Sequence, residues 1–254
     1  TYKQYFNFYI MSIKHKITRF IEQPSGIIDL INGTRPIHKY YFLKVKEFTD
    51  KINTYIDIGA NKGKLIDACR SVFPESYVYA IEPIKKHYDE LSKYKNITVF
   101  NCGLWNENTI KTFYYTQKDD YESSFLKPTS LDYNDIKKDV KELKVSVKRF
   151  DSLPIKITRP CFVKIDVEGT EPNVLEGMGE RLNEIDFVQI EQIHVVKNES
   201  KNIISKCIKI LEDYGFTGFI QVGTTYYKNS LPSKSDLIFF KEKMLEEPWF
   251  KKNE

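Results

Sequence analysis

The segment Tyr55-Ile56-Asp57-Ile58-Gly59-Ala60-Asn61-Lys62-Gly63 places an acid inside an apolar run that breaks into a turn of small residues. Glycines at 59 and 63 let the chain bend sharply and let a ligand lie against the backbone. The first turn of a following helix would offer free N–H donors. Three ligand chemistries compete for such a turn. A dinucleotide fingerprint needs G-x-G-x-x-G, but counting from Gly59 the second and third glycines are replaced by Asn61 and Lys64. A phosphate-cradling loop needs four residues between its glycines and then Lys followed by Ser or Thr. Here three residues separate Gly59 from Gly63, and Leu65 follows Lys64. The remaining pattern, D-x-G-x-x-x-G with its acid on the strand, suits a ligand with an amino group rather than a pyrophosphate. Asp57 can attract the cationic amino-acid end of S-adenosylmethionine (SAM), directly or through water.

The run Tyr79-Ala80-Ile81-Glu82-Pro83 ends a second strand on an acid about 20 residues beyond the glycine turn. Glu82 is placed there to accept hydrogen bonds from both ribose hydroxyls. The third strand runs into Asn101-Cys102-Gly103-Leu104, whose backbone either meets an adenine edge or, at Gly103, serves only a turn. Ser123 and Ser124 can reach the ligand's carboxylate or adenine. Tyr114, Tyr115 and Tyr121 can stack on a sugar or adenine ring, or simply pack.

An acceptor that loses a proton as it attacks an electrophile needs a base to remove it. Asp166 and Glu168 at the tip of the fourth strand, Glu191 at the tip of the fifth, and His194 just after it are the candidates. Ligands of open α/β sheets bind beyond those strand ends, so one crevice can hold all of them. His194 has a suitable pKa, whereas a carboxylate needs burial or neighbouring charge to come into range. Glu168 serves equally well as a charge at the start of the next helix, and Lys164 can pair with one of the acids. Oxygen ligands at 166 and 191 with His194 also suit Mg²⁺ or Mn²⁺. No compact ligand spacing supports a metal, and none is expected.

The elements that must carry these residues follow from residue periodicity. Apolar residues at helical spacing over 5–21 and 36–52, interrupted near Gly26 and Gly33, predict an N-terminal helical cap over residues 1–53. From residue 54 onward, short β-rich runs at 54–58, 77–81, 97–101, 161–165 and 187–190 alternate with helices near 62–73, 84–93 and 200–214. Thr170 can cap a helix beginning at Glu171-Pro172, and Gly215 can end the one before it. Runs at 216–222 and 236–240 can pair as a hairpin. Residues 105–160 read as a long irregular insertion of the lid or binding-loop kind.

A net charge of +4, from 39 basic and 35 acidic residues, is too even for a nucleic-acid field. Scattered cysteines at 69, 102, 161 and 207, with no apolar run of membrane length, predict a cytoplasmic protein with reduced thiols. The N-x-S/T matches at Asn32, Asn96 and Asn198 then carry no glycan. Thr1 in place of Met suits a domain cut from a larger glycan-assembling polypeptide.

In order along residues 54–192, YIDIGANKGKL, YAIEP, NCGLWNEN, VKRFDSL, FVKIDVEGTEPNVLEGM and DFVQIEQ resemble the FkbM-type SAM-dependent methyltransferase family. KIDVEG-x-E is the most specific element. The resemblance implies an α/β class I methyltransferase fold: a Rossmann-like, mostly parallel seven-stranded sheet with an antiparallel last strand, here over residues 54–254. It implies O-methylation, commonly of sugar hydroxyls, deoxysugars included, or of polyketide-type natural products. Asp57, Gly59, Asn61, Gly63 and Glu82 match the family's cofactor motifs, with Ala60 and Pro83 in the same stretches. An RNA ribose or cap methyltransferase and a SAM-binding module without activity are the alternative expectations.

Overall fold

The computed structural model describes residues 36–116, 123–127, 140–193, 203–226 and 232–251. The core is a 7-stranded sheet of β1 (Thr54–Ile58), β2 (Tyr77–Ile81), β3 (Ile97–Phe100), β7 (Cys161–Ile165), β8 (Phe187–Ile193), β9 (Phe216–Tyr226) and β10 (Pro232–Lys241). Across the sheet the order is β3-β2-β1-β7-β8-β10-β9. The pairs from β3 through β8 are parallel, and β10 runs antiparallel to both of its neighbours. This is the expected Rossmann-like sheet with its reversed last strand. The chain leaves β1 in one direction and crosses to β7 in the other, which opens a crevice beyond the carboxyl ends of these two strands.

The central strands are apolar because helices cover both faces, and every residue of β1 and of β7 is buried. On one face lie α1 (Pro36–Lys46) and α2 (Lys64–Val72), which contribute Phe42, Val45, Ile66 and Cys69 to a cluster with Tyr55 and Phe162. The Phe42 ring meets Tyr55 and Phe162 edge-on at 5.3 and 5.4 Å, each contact worth about 0.5–1.5 kcal/mol beyond its buried area. On the other face, α4 (Glu171–Met178) and α5 (Ile203–Asp213) bury Val174, Leu175, Met178, Cys207 and Leu211 against Ile56, Ile58 and Val163. Between β2 and β3 lies α3 (Lys85–Leu91).

Of the helical region expected over residues 1–53, the structure describes α1, which stops at Lys46 rather than continuing to 52. Residues 1–35 lie outside the described residues, as do Tyr121, His194 and Asn198.

The insertion departs from the expected irregular loop. Its segments β5 (Thr109–Thr116) and β6 (Val140–Lys148) pair antiparallel, and β4 (Gly103–Leu104) joins β6 to form a 3-stranded sheet. Period-2 alternation explains it: Val145 and Val147 turn inward while their neighbours face water. The four cysteines are free and buried. Among the described residues no helix is long and apolar enough to cross a membrane.

Candidate functional site

A cleft with about 620 Å³ of empty space opens at the carboxyl ends of β1, β2 and β7. One wall is the β1 turn, with Ile58, Gly59 and Asn61. Gly59 has φ +78°, and a Cβ there would stand 2.1 Å from the carbonyl oxygen of Asp166, so only glycine lets the β1 and β7 loops close on each other. Asn61 sits in the left-handed region at φ 47°, which asparagine tolerates. Its amide donates to Glu82 Oε2 at 2.7 Å, and the amide of Ile84 donates to Glu82 Oε1 at 2.7 Å. Glu82 thus clamps the first and second strand tips together while lining the cleft beside Ile81, Pro83 and Ile84. Cys102, Gly103 and Leu104 form the next stretch of wall, and burial raises the Cys102 thiol to about 11. Phe113, Ser123 and Phe125 come from the insertion, the two rings meeting edge-on at 4.9 Å.

Several expected residues stand behind this wall. Asp57 is fully buried, 3.3 Å from the Lys164 ammonium, its partner in the β1–β7 register. Lys164 also donates to the carbonyl of Gly59 at 2.9 Å and lies 3.5 Å from Asp166 Oδ2. Burial works against the Lys164 charge, but Asp166 and Asp57 more than offset it, and its pKa is raised. Asp57 therefore bears on the cleft by anchoring the cation that fixes the glycine turn. Gly63 faces Leu91 and Tyr94, where a Cβ would overlap the Leu91 side chain. Ala60 is buried among the helices of that face. Ser124 Oγ donates to the Glu168 carbonyl at 2.8 Å and accepts from the Leu126 amide, tying the insertion to the β7 turn while Ser123 lines the cleft.

The β7 turn completes the site. Glu168 and Gly169 both have positive φ, 53° and 109°. The Thr170 side chain makes no cap bond to α4, contrary to expectation. Glu171 Oε1 holds the turn instead, accepting from the amides of Val167 and Gly169 at 3.2 and 3.1 Å, and burial pushes its pKa up to about 7. Carboxylate oxygens of Asp166, Glu168 and Glu191 all lie within 4.8 Å of one another. Asp166 is the most open, its side chain 37% exposed against 16% for Glu168 and 18% for Glu191. Lys234, on β10, places its ammonium 2.8 Å from Glu168 Oε1 and 2.7 Å from Glu191 Oε2. Burial raises the pKa of both glutamates, Asp166 adds to the rise, and Lys234 opposes it.

The profile of the methyltransferase FkbM domain matches residues 57–217, from the acid of the first motif to the start of β9. The chain belongs to the FkbM methyltransferase family. It is 26% identical over 204 residues to "Methyltransferase 1" of Beauveria bassiana (strain ARSEF 2860), covering 71% of this chain and 80% of that protein. Among solved structures it is similar to the precorrin-6y C5,15-methyltransferase of Geobacter metallireducens, at 12% identity and a TM-score of 0.43, over 82% of this chain and 90% of that one. The plantazolicin methyltransferase BpumL, solved with SAH, shares 9% identity at a TM-score of 0.43, over 90% of each chain.

As an FkbM methyltransferase the protein takes SAM as its cofactor. The cleft suits that donor. Its walls combine apolar Ile81, Ile84 and Phe113 with backbone and the carboxylates of Glu82 and Asp166. Residue type and spacing did not point to Phe113, Phe125 or Lys234. Alternation along β5 places Phe113 on the face opposite Tyr114, and among the described residues Phe113 and Phe125 are the aromatic rings that line the cleft.

Proposed function

We propose that this methyltransferase transfers the methyl group to a hydroxyl of a sugar or glycan, with Asp166 as the general base. The observation behind this reading is the convergence of Asp166, Glu168, Glu191 and Lys234 at one end of the cleft. A set of carboxylates and an ammonium offers acceptors and donors to a polyol and a proton acceptor to the hydroxyl that reacts. SAM, when bound, supplies an electrophilic methyl group on a sulfonium. Glu168 and Glu191 are engaged by Lys234, whereas Asp166 faces the cleft with Lys164 behind it. Asp166 therefore takes the acceptor's proton as the oxygen–carbon bond forms and the carbon–sulfur bond breaks. Lys164 orients that carboxylate from the rear. An alkoxide beside uncompensated carboxylates would meet repulsion of roughly 4 kcal/mol per charge at about 4 Å, and the two lysines reduce it. Within a cell, a glycan-assembling system in the cytoplasm is the proposed setting.

Incubation with labelled SAM and a panel of sugars, deoxysugars, polyketide-type hydroxyls and capped RNA tests the acceptor class. Label on carbohydrate hydroxyls supports the reading; label confined to RNA or to an amine ends it. Asp166→Asn should lower transfer by about 100- to 10,000-fold while SAM affinity by calorimetry changes less than about threefold.

A further inference from the structure

We infer that Lys234 is a resident cation standing where a divalent ion would otherwise be held by Asp166, Glu168 and Glu191, so that methyl transfer by this protein is independent of metal. The inference deepens the reading of the acceptor end given above and rests on it. Three carboxylate oxygens within 4.8 Å of one another form a set of hard ligands of the kind that takes Mg²⁺ or Mn²⁺. Here the Lys234 ammonium already lies at hydrogen-bonding distance from two of the three, 2.8 Å from Glu168 Oε1 and 2.7 Å from Glu191 Oε2. A divalent ion bonded to these carboxylates at about 2.0–2.1 Å, the usual length for Mg²⁺, would stand against an ammonium already paired with one oxygen of each glutamate, and like-charge repulsion opposes that. The burial of Lys234 opposes its charge, yet the glutamates more than offset this and its pKa is raised.

The source of the lysine is topological. β10 is antiparallel to β8, with Lys234 beside Ile193 and Asp236 beside Glu191. The strand therefore begins, rather than ends, at the cleft, and brings in a side chain that no parallel strand supplies. An ammonium has three donors. One is hydrogen-bonded to Glu168 Oε1, and Glu191 Oε2 lies in ion-pair contact at 2.7 Å.

The test uses the whole chain. Wild-type protein dialysed against a chelator should keep its transfer rate, and Mn²⁺ titrated alone should give no bound signal in electron paramagnetic resonance. Lys234→Ala should keep SAM affinity within about threefold and lose about 100-fold or more in transfer. It should also gain a Mn²⁺ site that disappears in Lys234→Ala/Glu191→Gln, with Mn²⁺ restoring part of the lost rate. Lys234→Met, which keeps the apolar stem, repeats the measurement should the alanine variant fail to fold. Wild-type activity that falls with chelator and returns with Mg²⁺ overturns the inference, as does a Lys234 variant that transfers normally in chelator or acquires no Mn²⁺ site. Metal and SAM binding are read without an acceptor, so a wrong acceptor class leaves these arms interpretable.

Discussion

At the end of the cleft proposed for the methyl donor, the Glu82 carboxylate is held by main-chain amides of Asn61 and Ile84, and the neighbouring wall is glycine turn and apolar side chain. At the end proposed for the acceptor, three carboxylates and the Lys234 ammonium converge from the tips of β7, β8 and β10, and burial raises the pKa of Glu168 and Glu191. Backbone geometry is insensitive to most side-chain changes, so a donor site built from it can stay fixed. A site built from balanced charges can be retuned by one substitution, which is what a change of acceptor asks for.

The two ends touch at Gly59, and a change there should erase the distinction between them. Gly59→Ala combines left-handed strain of about 1–2 kcal/mol with overlap against the Asp166 carbonyl worth about 1–3 kcal/mol. We expect urea denaturation to show a loss near 4 kcal/mol, and SAM binding and methyl transfer to fail together. A variant with normal stability would mean that the close approach is not needed.

Glu171 belongs to the acceptor end alone. Its folded pKa, about 7, lies above the ordinary carboxylate value, so the folded state binds the proton more tightly than the unfolded chain. The contribution is favourable at low pH and is lost as pH rises from about 4.3 to about 7, by up to about 4 kcal/mol. Glu171→Gln should flatten denaturation free energy over that window, with SAM affinity unchanged. An identical slope in the variant would assign the pH dependence elsewhere.

The smallest effect belongs to the donor end. Glu82→Gln weakens two charge-assisted hydrogen bonds, about 1.5–3 kcal/mol, and should raise the SAM dissociation constant about 10- to 100-fold. At saturating SAM the transfer rate should recover to within about threefold. A rate that stays low would show that Glu82 also governs the chemistry.

How much of this could be read from residues alone differed between the ends for the same reason. Asp57, Gly59, Asn61 and Glu82 lie in two short runs whose spacing declares a strand, a turn and an acid at a strand tip; the parallel sheet followed from the alternation of strands and helices, and its reversed last strand from the resemblance to the FkbM family. Asp166 and Glu191 were legible as acids closing apolar strands. Lys234 was not, because it lies 66 residues from Glu168, and only the reversal of β10 brings the two together. Glu171, too, looks from spacing like an ordinary first-turn acid, and only the tertiary path of the β7 turn shows it accepting from the amides behind it. The insertion was misjudged because its strands are separated by a long segment and paired on one face only, which leaves the alternation weak in each half.

Ser124 gives the small sheet a significance beyond packing. Its hydroxyl holds the carbonyl of Glu168, so the sheet and the acid that borders the cleft share one fastening. Substitution at Ser123 or Phe125 would then reshape the wall of the pocket while leaving the anchoring stitch, and hence the reactive geometry beneath it, where it was. Diversification of what the enzyme accepts becomes a matter of tailoring the cuff rather than the seam.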